Sequence, residues 1–144
     1  MEPRNPAYEA AARAVFLQAP FVRELGIEPV RFAPGEVQSR LAVAPRHLQH
    51  DGLVHAAVQT AIADHTAGAA AYTVLEADQM ALTVNLAVSL LRAAKGDELV
   101  CQAVVLRAGK RLVVAESEVF TRAGGHDTLV AKATVTLAVL EKTT

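Results

Sequence analysis

The chain has 144 residues, of which 52% are hydrophobic and 20% charged, and its formal net charge is −1. This length and composition are typical of one globular domain with a single core, and they argue against a disordered chain. Because the charge is near neutral and no basic stripe is interleaved with aromatic residues, we expect no nucleic-acid partner. No apolar stretch follows Arg4, so we expect no signal peptide and a cytoplasmic protein.

The longest apolar region runs from Leu53 to Leu75 and is interrupted by two histidines, a glutamine and an aspartate. Such interruptions argue against a membrane span. Cys101 is the only cysteine, which excludes an intrachain disulfide, and its place within a predicted strand indicates a buried, inert thiol. His47, His50 and His65 lack the spacing of metal ligands, so we expect no metal site.

Helical signals open the chain. Asn5 is a good N-cap and Pro6 is favoured at the first helical position, so a helix is predicted from there to about Gln18. A second short helical segment, residues 21–25, ends before a glycine. We interpret residues 1–19 as an N-terminal helical extension of a single domain that covers residues 1–144.

Strand signals surround one long helix. Residues 27–32 and 36–43 predict two strands, and a polar loop follows over residues 45–52. Residues 54–75 predict a helix that is apolar or small nearly all round, which indicates burial on most of its sides. Further strands are predicted at residues 80–91, 99–106, 113–121 and 129–140.

Short glycine-containing connections join the last three strands, which predicts that they are antiparallel neighbours. The fold class is therefore α+β, with one antiparallel sheet wrapped around one buried helix. In the strand at residues 80–91, alternation predicts one face with Leu82, Val84, Leu86 and Val88 and another with Thr83, Asn85 and Ser89.

Asp64 is the most informative residue, because it stands in the middle of an alanine-rich helix. A carboxylate buried without partners is energetically costly, so this one must be solvated or hydrogen-bonded. Two interpretations are open. Asp64 is either a structural carboxylate, on an exposed stripe or bonded to a strand, or a catalytic group.

Gly52 and His55 lie where the polar loop gives way to the long helix. The first backbone N–H groups of a helix lack partners, and together with the helix dipole they form a natural oxyanion hole. His55 itself is interpreted as a capping or packing residue. It stands nine residues before Asp64, roughly 900° at ~100° per residue, so the two are predicted to point to opposite sides. If both serve one reaction, the site lies between two subunits.

A family resemblance rests on residues 49–64, QHDGLVHAAVQTAIAD. They resemble the signature of the PaaI-like (phenylacetate-pathway) hotdog thioesterases, which reads Asn-x-x-Gly-x-x-His-Gly-Gly, six residues, and an acid. The spacing from Gly52 through His55 to Asp64 matches this signature. Residues 83–97 also resemble the family's central strand and the turn after it.

Two features depart from that signature. Gln49 stands where the family commonly has Asn, and Ala56 and Ala57 replace the Gly-Gly pair. The backbone N–H of Ala56 can still donate a hydrogen bond, while the added methyl narrows the approach of an acyl group. Thr83 occupies a position where some members carry a Ser or Thr that assists the acid.

The resemblance implies a hotdog-fold acyl-CoA thioesterase that needs no cofactor beyond the coenzyme A of its substrate. It makes Asp64 a general base, or a nucleophile that forms a transient anhydride. It makes the Ala56 N–H the oxyanion donor, and Gln49 and Thr83 the groups that position water and substrate. Further residues are then expected to contact the substrate or the phosphates of coenzyme A: Gly52, His55, Ala57, Arg92, Lys95, Arg107, Lys110 and Arg111.

The expected partners are an acyl-CoA substrate and further copies of the chain, as a homodimer or homotetramer with shared sites. Two other functions are open. A hotdog dehydratase or hydratase would need a paired His and acid at a spacing that this chain lacks, and a non-catalytic acyl-CoA-binding module would tolerate the Ala56-Ala57 replacement.

Overall fold

The structure is a computed structural model, and it describes residues 1–143. These residues contain three α-helices, six β-strands and a 3₁₀ turn at Pro45–His47. In chain order they are α1 (Tyr8–Gln18), α2 (Pro20–Leu25), β1 (Glu28–Ala33), β2 (Glu36–Ala42), α3 (Ala56–Tyr72), β3 (Gln79–Leu90), β4 (Glu98–Ala108), β5 (Leu112–Ala123) and β6 (His126–Glu141).

The six strands form one antiparallel sheet with the order β1-β2-β4-β5-β6-β3. The strands β4, β5 and β6 are consecutive in both sequence and space, as their short connections predict. In contrast, β3 follows α3 in the chain and pairs with β6, so it forms one edge of the sheet, and β1 forms the other. The α+β prediction of a sheet wrapped around one helix is confirmed, and the architecture is the hotdog fold.

Helix α3 lies against the sheet and forms the centre of the core. Eight of its 17 residues are alanine, the best helix former, and their small side chains allow the strands to approach closely. Ile62, Ala63, Ala67 and Ala70 are completely buried, and the helix contacts all strands from β2 to β6. The prediction of a helix buried on most sides is therefore confirmed, although the helix is shorter than predicted at both ends.

Helix α1 packs against the outer side of α3 and against β1. Its Phe16 is completely buried, with its ring 4.5 Å from that of His65 and 6.3 Å from that of Phe32, centroid to centroid. The helix begins at Tyr8, later than predicted, because Asn5 caps a turn by accepting a hydrogen bond from the Ala7 N–H. No helix in residues 1–143 is long and apolar enough to cross a membrane.

Candidate active site

The loop before α3 is fixed by hydrogen bonds. His47 is buried, donates from Nε2 to the Leu25 carbonyl (2.7 Å) and accepts from the Ala44 N–H at Nδ1 (2.9 Å). Its own carbonyl accepts from the His55 N–H at 2.9 Å. These bonds set the position at which the chain enters α3.

His55 is the N-cap of α3, and its Nδ1 accepts a hydrogen bond from the Ala57 N–H at 2.9 Å. The interpretation of His55 as a capping residue is confirmed. His55 has an extended backbone (φ −60°, ψ 139°) and directly precedes the first helical residue, Ala56. The opposed orientation of His55 and Asp64 stays a prediction. The distance along the helix axis also separates the start of α3 from Asp64.

Among residues 1–143, the Ala56 N–H has no hydrogen-bond acceptor, whereas the next N–H, that of Ala57, is used by the cap. Ala56 lies in a groove at the start of α3, which we call the helix-start groove. The groove lies between the loop, the first turn of α3 and the segment that follows β3, and it is lined by Gln49, Leu53, Val54, His55, Ala56, Gln59, Leu90, Leu91, Arg92, Ala93 and Ala94. A free N–H at the positive end of a 17-residue helix is a donor for a negatively charged oxygen.

Gln49 helps to shape this groove. Its side-chain carbonyl accepts hydrogen bonds from the Asp51 and Leu53 N–H groups, which leaves the side-chain NH₂ as the group available to a ligand. Gly52 lies in the same turn with φ +80°, a backbone conformation that L side chains rarely adopt. It lines an adjacent depression, together with Lys95.

Asp64 and Thr83 form a second centre, in the middle of α3. The Thr83 hydroxyl donates to Oδ1 of the half-buried Asp64 carboxylate at 2.8 Å. Within residues 1–143, Asp64 has no Lys, Arg or His within ion-pair distance, and Oδ2 accepts no hydrogen bond. The carboxylate is thus held by one oxygen and is free to act with the other.

A β-bulge places Thr83 beside Asp64. Thr83 pairs with Leu137 of β6 and Asn85 with Thr136, so Val84 is an extra residue that shifts the register. Paired residues share a face, and the face of buried Leu137 is the one that packs on α3. The predicted grouping of Thr83 with Asn85 and Ser89 is therefore wrong. Thr83 shares the helix-side face with Leu86 and Val88, while Asn85 and Ser89 face away.

The two centres are separated along α3. Asp64 follows Ala56 by eight helical positions, which corresponds to about 12 Å between their Cα atoms along the axis at 1.5 Å per residue. An oxyanion donor and a general base must both reach one carbonyl group, each through a contact of about 3 Å or through one water. Within one chain this separation is too large for the compact geometry that the reaction needs.

The predicted cations do not lie together in one chain. Arg92 lines the helix-start groove and Lys95 the adjacent depression, whereas Lys110 and Arg111 lie with Arg107 at the β4–β5 hairpin. That hairpin lies near the C-terminal end of α3, because Gly35 bonds to residues at both places. The Gly35 N–H donates to the hydroxyl of Thr73, the C-cap of α3, and the Gly35 carbonyl accepts from the Val105 N–H of β4.

Two buried polar residues beside the candidate site were not identified from the sequence. Gln59, one turn after Ala56, is buried and donates from Nε2 to the Val54 carbonyl at 3.1 Å, while its Oε1 has no partner within residues 1–143. Ser117 is completely buried behind Asp64 and donates to the Ala63 carbonyl at 2.7 Å. The available signal was the same for both, a polar residue at a position that the periodicity assigns to the core.

Cys101 is completely buried, and burial raises the pKa of its thiol to about 12. The prediction of an inert cysteine is confirmed, because a neutral thiol is a poor nucleophile. In the described part of the chain, no three His, Cys, Asp or Glu side chains come together in a way that would hold a metal ion.

Comparisons with known proteins agree on one family. The sequence profile of the thioesterase superfamily matches residues 51–128, which include Gly52, His55, Asp64 and Thr83. No curated protein is significantly similar in sequence.

Three solved structures illustrate the likeness. A thioesterase family protein from Silicibacter pomeroyi is 28% identical, with a TM-score of 0.91 over 93% of this chain and 98% of the other. A conserved protein from Pseudomonas aeruginosa is 31% identical, with a TM-score of 0.79 over 87% of this chain and 97% of the other. A thioesterase from Haemophilus influenzae shares the fold at 21% identity, with a TM-score of 0.81 over 90% of this chain and 87% of the other. The chain belongs to the thioesterase superfamily, and its chemistry is thioester hydrolysis.

Proposed function

We propose that the protein hydrolyses an acyl-CoA, or an aryl-acyl-CoA, to the free acid and coenzyme A, with Asp64 as the group that activates the attack. The observation that supports this most directly is the Asp64 carboxylate itself. In a helix whose other buried residues are mostly alanine, one oxygen is held by the Thr83 hydroxyl at 2.8 Å and the other is free. A structural carboxylate would be expected to use both oxygens or to pair with a cation.

In the proposed reaction, Asp64 takes a proton from a water molecule, which attacks the thioester carbonyl carbon. The carbonyl oxygen gains negative charge and accepts a hydrogen bond from the Ala56 N–H at the positive end of α3. When the C–S bond breaks, the coenzyme A thiolate leaves and receives the proton from Asp64. The NH₂ of Gln49 and the Thr83 hydroxyl would orient the carbonyl and the carboxylate respectively.

Direct attack by Asp64 would instead form a mixed anhydride that water then hydrolyses. A single turnover in ¹⁸O-labelled water distinguishes the two routes. General-base catalysis puts the label in the released acid during the first turnover, whereas attack of water on the Asp64 carbon of an anhydride leaves it in the enzyme.

A second copy of the chain would complete the site, since the two centres are about 12 Å apart along α3. The exposed β3 edge of the sheet supports pairing with a second copy. The β1 edge is protected by Pro29, by two charged residues and by a bulge, whereas β3 has no charge and no proline from Gln79 to Leu90. Leu82, Val84 and Leu90 are each at least half exposed on this edge.

Two copies that pair antiparallel through β3 run their α3 helices in opposite directions. The start of one helix then lies alongside a later part of its partner, which is the arrangement that a shared site needs. The same reversal moves the partner's cationic hairpin (Arg107, Lys110, Arg111) to the end of the molecule that carries Arg92 and Lys95, where the phosphates of coenzyme A would bind.

The first test removes the carboxylate. Asp64→Asn should lower kcat by at least ~100-fold, which is within the range for loss of a general base. The urea unfolding midpoint should change no more than it does for an ordinary surface substitution. The assay is release of the coenzyme A thiol from acetyl-, hexanoyl- and phenylacetyl-CoA. Near-normal turnover of all three by Asp64→Asn would refute the assignment. Binding of these thioesters by the wild type without turnover would favour the non-catalytic alternative.

The second test removes the oxyanion donor without disturbing the helix. Proline is favoured at the first helical position, and the extended backbone of His55 is compatible with a following proline, so Ala56→Pro removes one N–H at little structural cost. We expect a loss of about 10²–10³-fold in kcat. Ala56→Ser, which keeps the N–H, is the matched control.

Mixing the two variants tests whether the site is shared. In an equal mixture of Asp64→Asn and Ala56→Pro, half of the dimers are mixed and each holds one intact shared site, so about a quarter of the wild-type activity should return. No recovery, with subunit exchange shown independently, would place both groups of one site in the same chain.

A further inference from the structure

Behind Asp64 lies a group of four completely buried polar side chains, which we call the buried polar cluster. Its members are Ser39 on β2, Thr66 on α3, Cys101 on β4 and Ser117 on β5. None of them is bonded to Ala56 or to the side chains of Asp64 and Thr83, and the neighbouring inward positions on β4 and β5 are apolar: Leu99, Ala103, Ala115 and Val119. Buried hydroxyls that serve packing alone are unfavourable, so their bonds call for an explanation.

The bonds of the cluster have a defined direction. Thr66 donates its only hydroxyl proton to the Ile62 carbonyl at 2.6 Å, so in the 2.6 Å contact between Ser39 and Thr66 the donor is Ser39. Ser117 donates to the Ala63 carbonyl at 2.7 Å. Ser39 therefore binds a side chain of α3, whereas Ser117 binds its backbone.

The Ala63 carbonyl and the Asp64 N–H belong to the same peptide unit, so the Ser117 bond holds the peptide that carries Asp64. Apart from the Ser39–Thr66 and Thr83–Asp64 hydrogen bonds, most of the buried side chains of α3 are apolar, and many are alanines such as Ala67 and Ala70. Contacts between methyl groups are weakly directional, and they resist rotation or sliding of a helix less than a hydrogen bond does.

The Asp64–Thr83 contact is sensitive to such motion. A carboxylate about 5 Å from the helix axis moves about 1.7 Å when the helix rotates by about 20°. That displacement breaks a hydrogen bond of 2.8 Å. Thr83 lies on the edge strand β3 and Ser117 on the central strand β5, with β6 between them, so the two bonds fix α3 from two separate positions on the sheet.

We propose that Ser117 is a positioning residue for Asp64, because its hydrogen bond fixes both the rotation of α3 and its position along the helix axis at the peptide that bears the carboxylate. This inference rests on the proposed role of Asp64. It predicts that loss of the Ser117 hydroxyl impairs the chemical step and leaves binding at the helix-start groove intact.

The test compares Ser117→Ala with Ser39→Ala, which removes an equally buried hydroxyl of the same cluster that is not bonded to the backbone of α3. With hexanoyl-CoA as the probe, Ser117→Ala should lower kcat on the order of tenfold with KM unchanged, since small misplacements of a catalytic group have large effects on rate. Ser39→Ala should keep kcat within about twofold while losing a similar amount of stability in urea unfolding. Ser117→Cys, which restores a weak donor, should recover part of the rate.

The double variant Ser117→Ala/Asp64→Asn decides whether Ser117 acts through Asp64. It should be no slower than Asp64→Asn alone. An equal kcat for Ser117→Ala and Ser39→Ala, or a further loss in the Asp64→Asn background, would overturn the inference. If Ser117→Ala does not fold, Ser117→Cys alone is the test. Because its thiol is a weaker donor than the hydroxyl, a kcat equal to that of the wild type would overturn the inference. An active Asp64→Asn would instead refute the proposed function, so the two failures are distinguishable.

Discussion

The hydrogen bond between Thr83 and Asp64 permits a quantitative prediction. Thr83→Val replaces the hydroxyl by a methyl group of similar size, so the shape of β3 is kept and one donor to the carboxylate is lost. Hydrogen bonds to charged groups contribute about 1.5–3 kcal/mol. Because Thr83 is exposed, water screens this one, and we take a reduced value of about 1–2 kcal/mol.

At 1.36 kcal/mol per factor of ten, this energy corresponds to a loss of about 5–30-fold in kcat if the bond orients Asp64 for the reaction. Coenzyme A release from hexanoyl-CoA measures the effect. Thr83→Ser keeps the donor and should stay within about threefold of the wild type, since only a methyl group is removed. Ser89→Ala removes a hydroxyl from the opposite face of the same strand and should change nothing measurable.

Two results would refute this reasoning. One is a kcat for Thr83→Val within twofold of the wild type. The other is an additive loss when Thr83→Val is combined with Asp64→Asn, because a residue that acts through a carboxylate has no effect once the carboxylate is gone.

Two further predictions concern His65 and Ala56. Burial lowers the pKa of His65, while its bond to the Phe16 carbonyl and the nearby Asp64 oppose this shift, so the unfolded chain takes up a proton at a higher pH than the folded one. Stability should therefore fall as the pH drops below about 6.5, and His65→Gln should flatten this dependence in urea unfolding, whereas a substitution of the exposed His126 should not. Ala56→Gly removes the methyl group beside the oxyanion donor and should raise kcat/KM for phenylacetyl-CoA relative to acetyl-CoA; an unchanged ratio would show that the methyl group does not shape specificity.

Periodicity predicted the long helix and the strands of this fold because burial follows the period of each element. The alanine-rich run around Asp64 has no polar face and became the central helix, and the alternating segments became strands whose boundaries differ from the predicted ones by a few residues. Short connections then required β4, β5 and β6 to be neighbours. No comparable rule placed β3 beside β6, because β4 and β5 lie between these two strands in the chain and the pairing depends on the arrangement of the whole sheet.

The bulge at Val84 shows why the site was harder to predict than the fold. A bulge adds one residue on one strand, and whether it forms depends on the partner strand, so the residues from Thr83 to Asn85 carry no local signal for it. Strict alternation assigned Thr83 to the wrong face. The spacing of the motif identified Asp64, and the resemblance of residues 83–97 to the family's central strand identified Thr83. That the two side chains are in contact follows only from the structure, in which the register of β3 against β6 places Thr83 on the helix side.

The composition of α3 explains why hydrogen bonds from the sheet are needed at the site. Small side chains let five strands approach the helix, and the same small side chains provide little interlocking to fix its rotation. A catalytic carboxylate on such a helix needs directional contacts, and the chain supplies them from two strands: Thr83 binds the side chain of Asp64 and Ser117 binds its peptide. Since neither bond is required for burying the core, losing either one should reduce turnover more than it reduces stability.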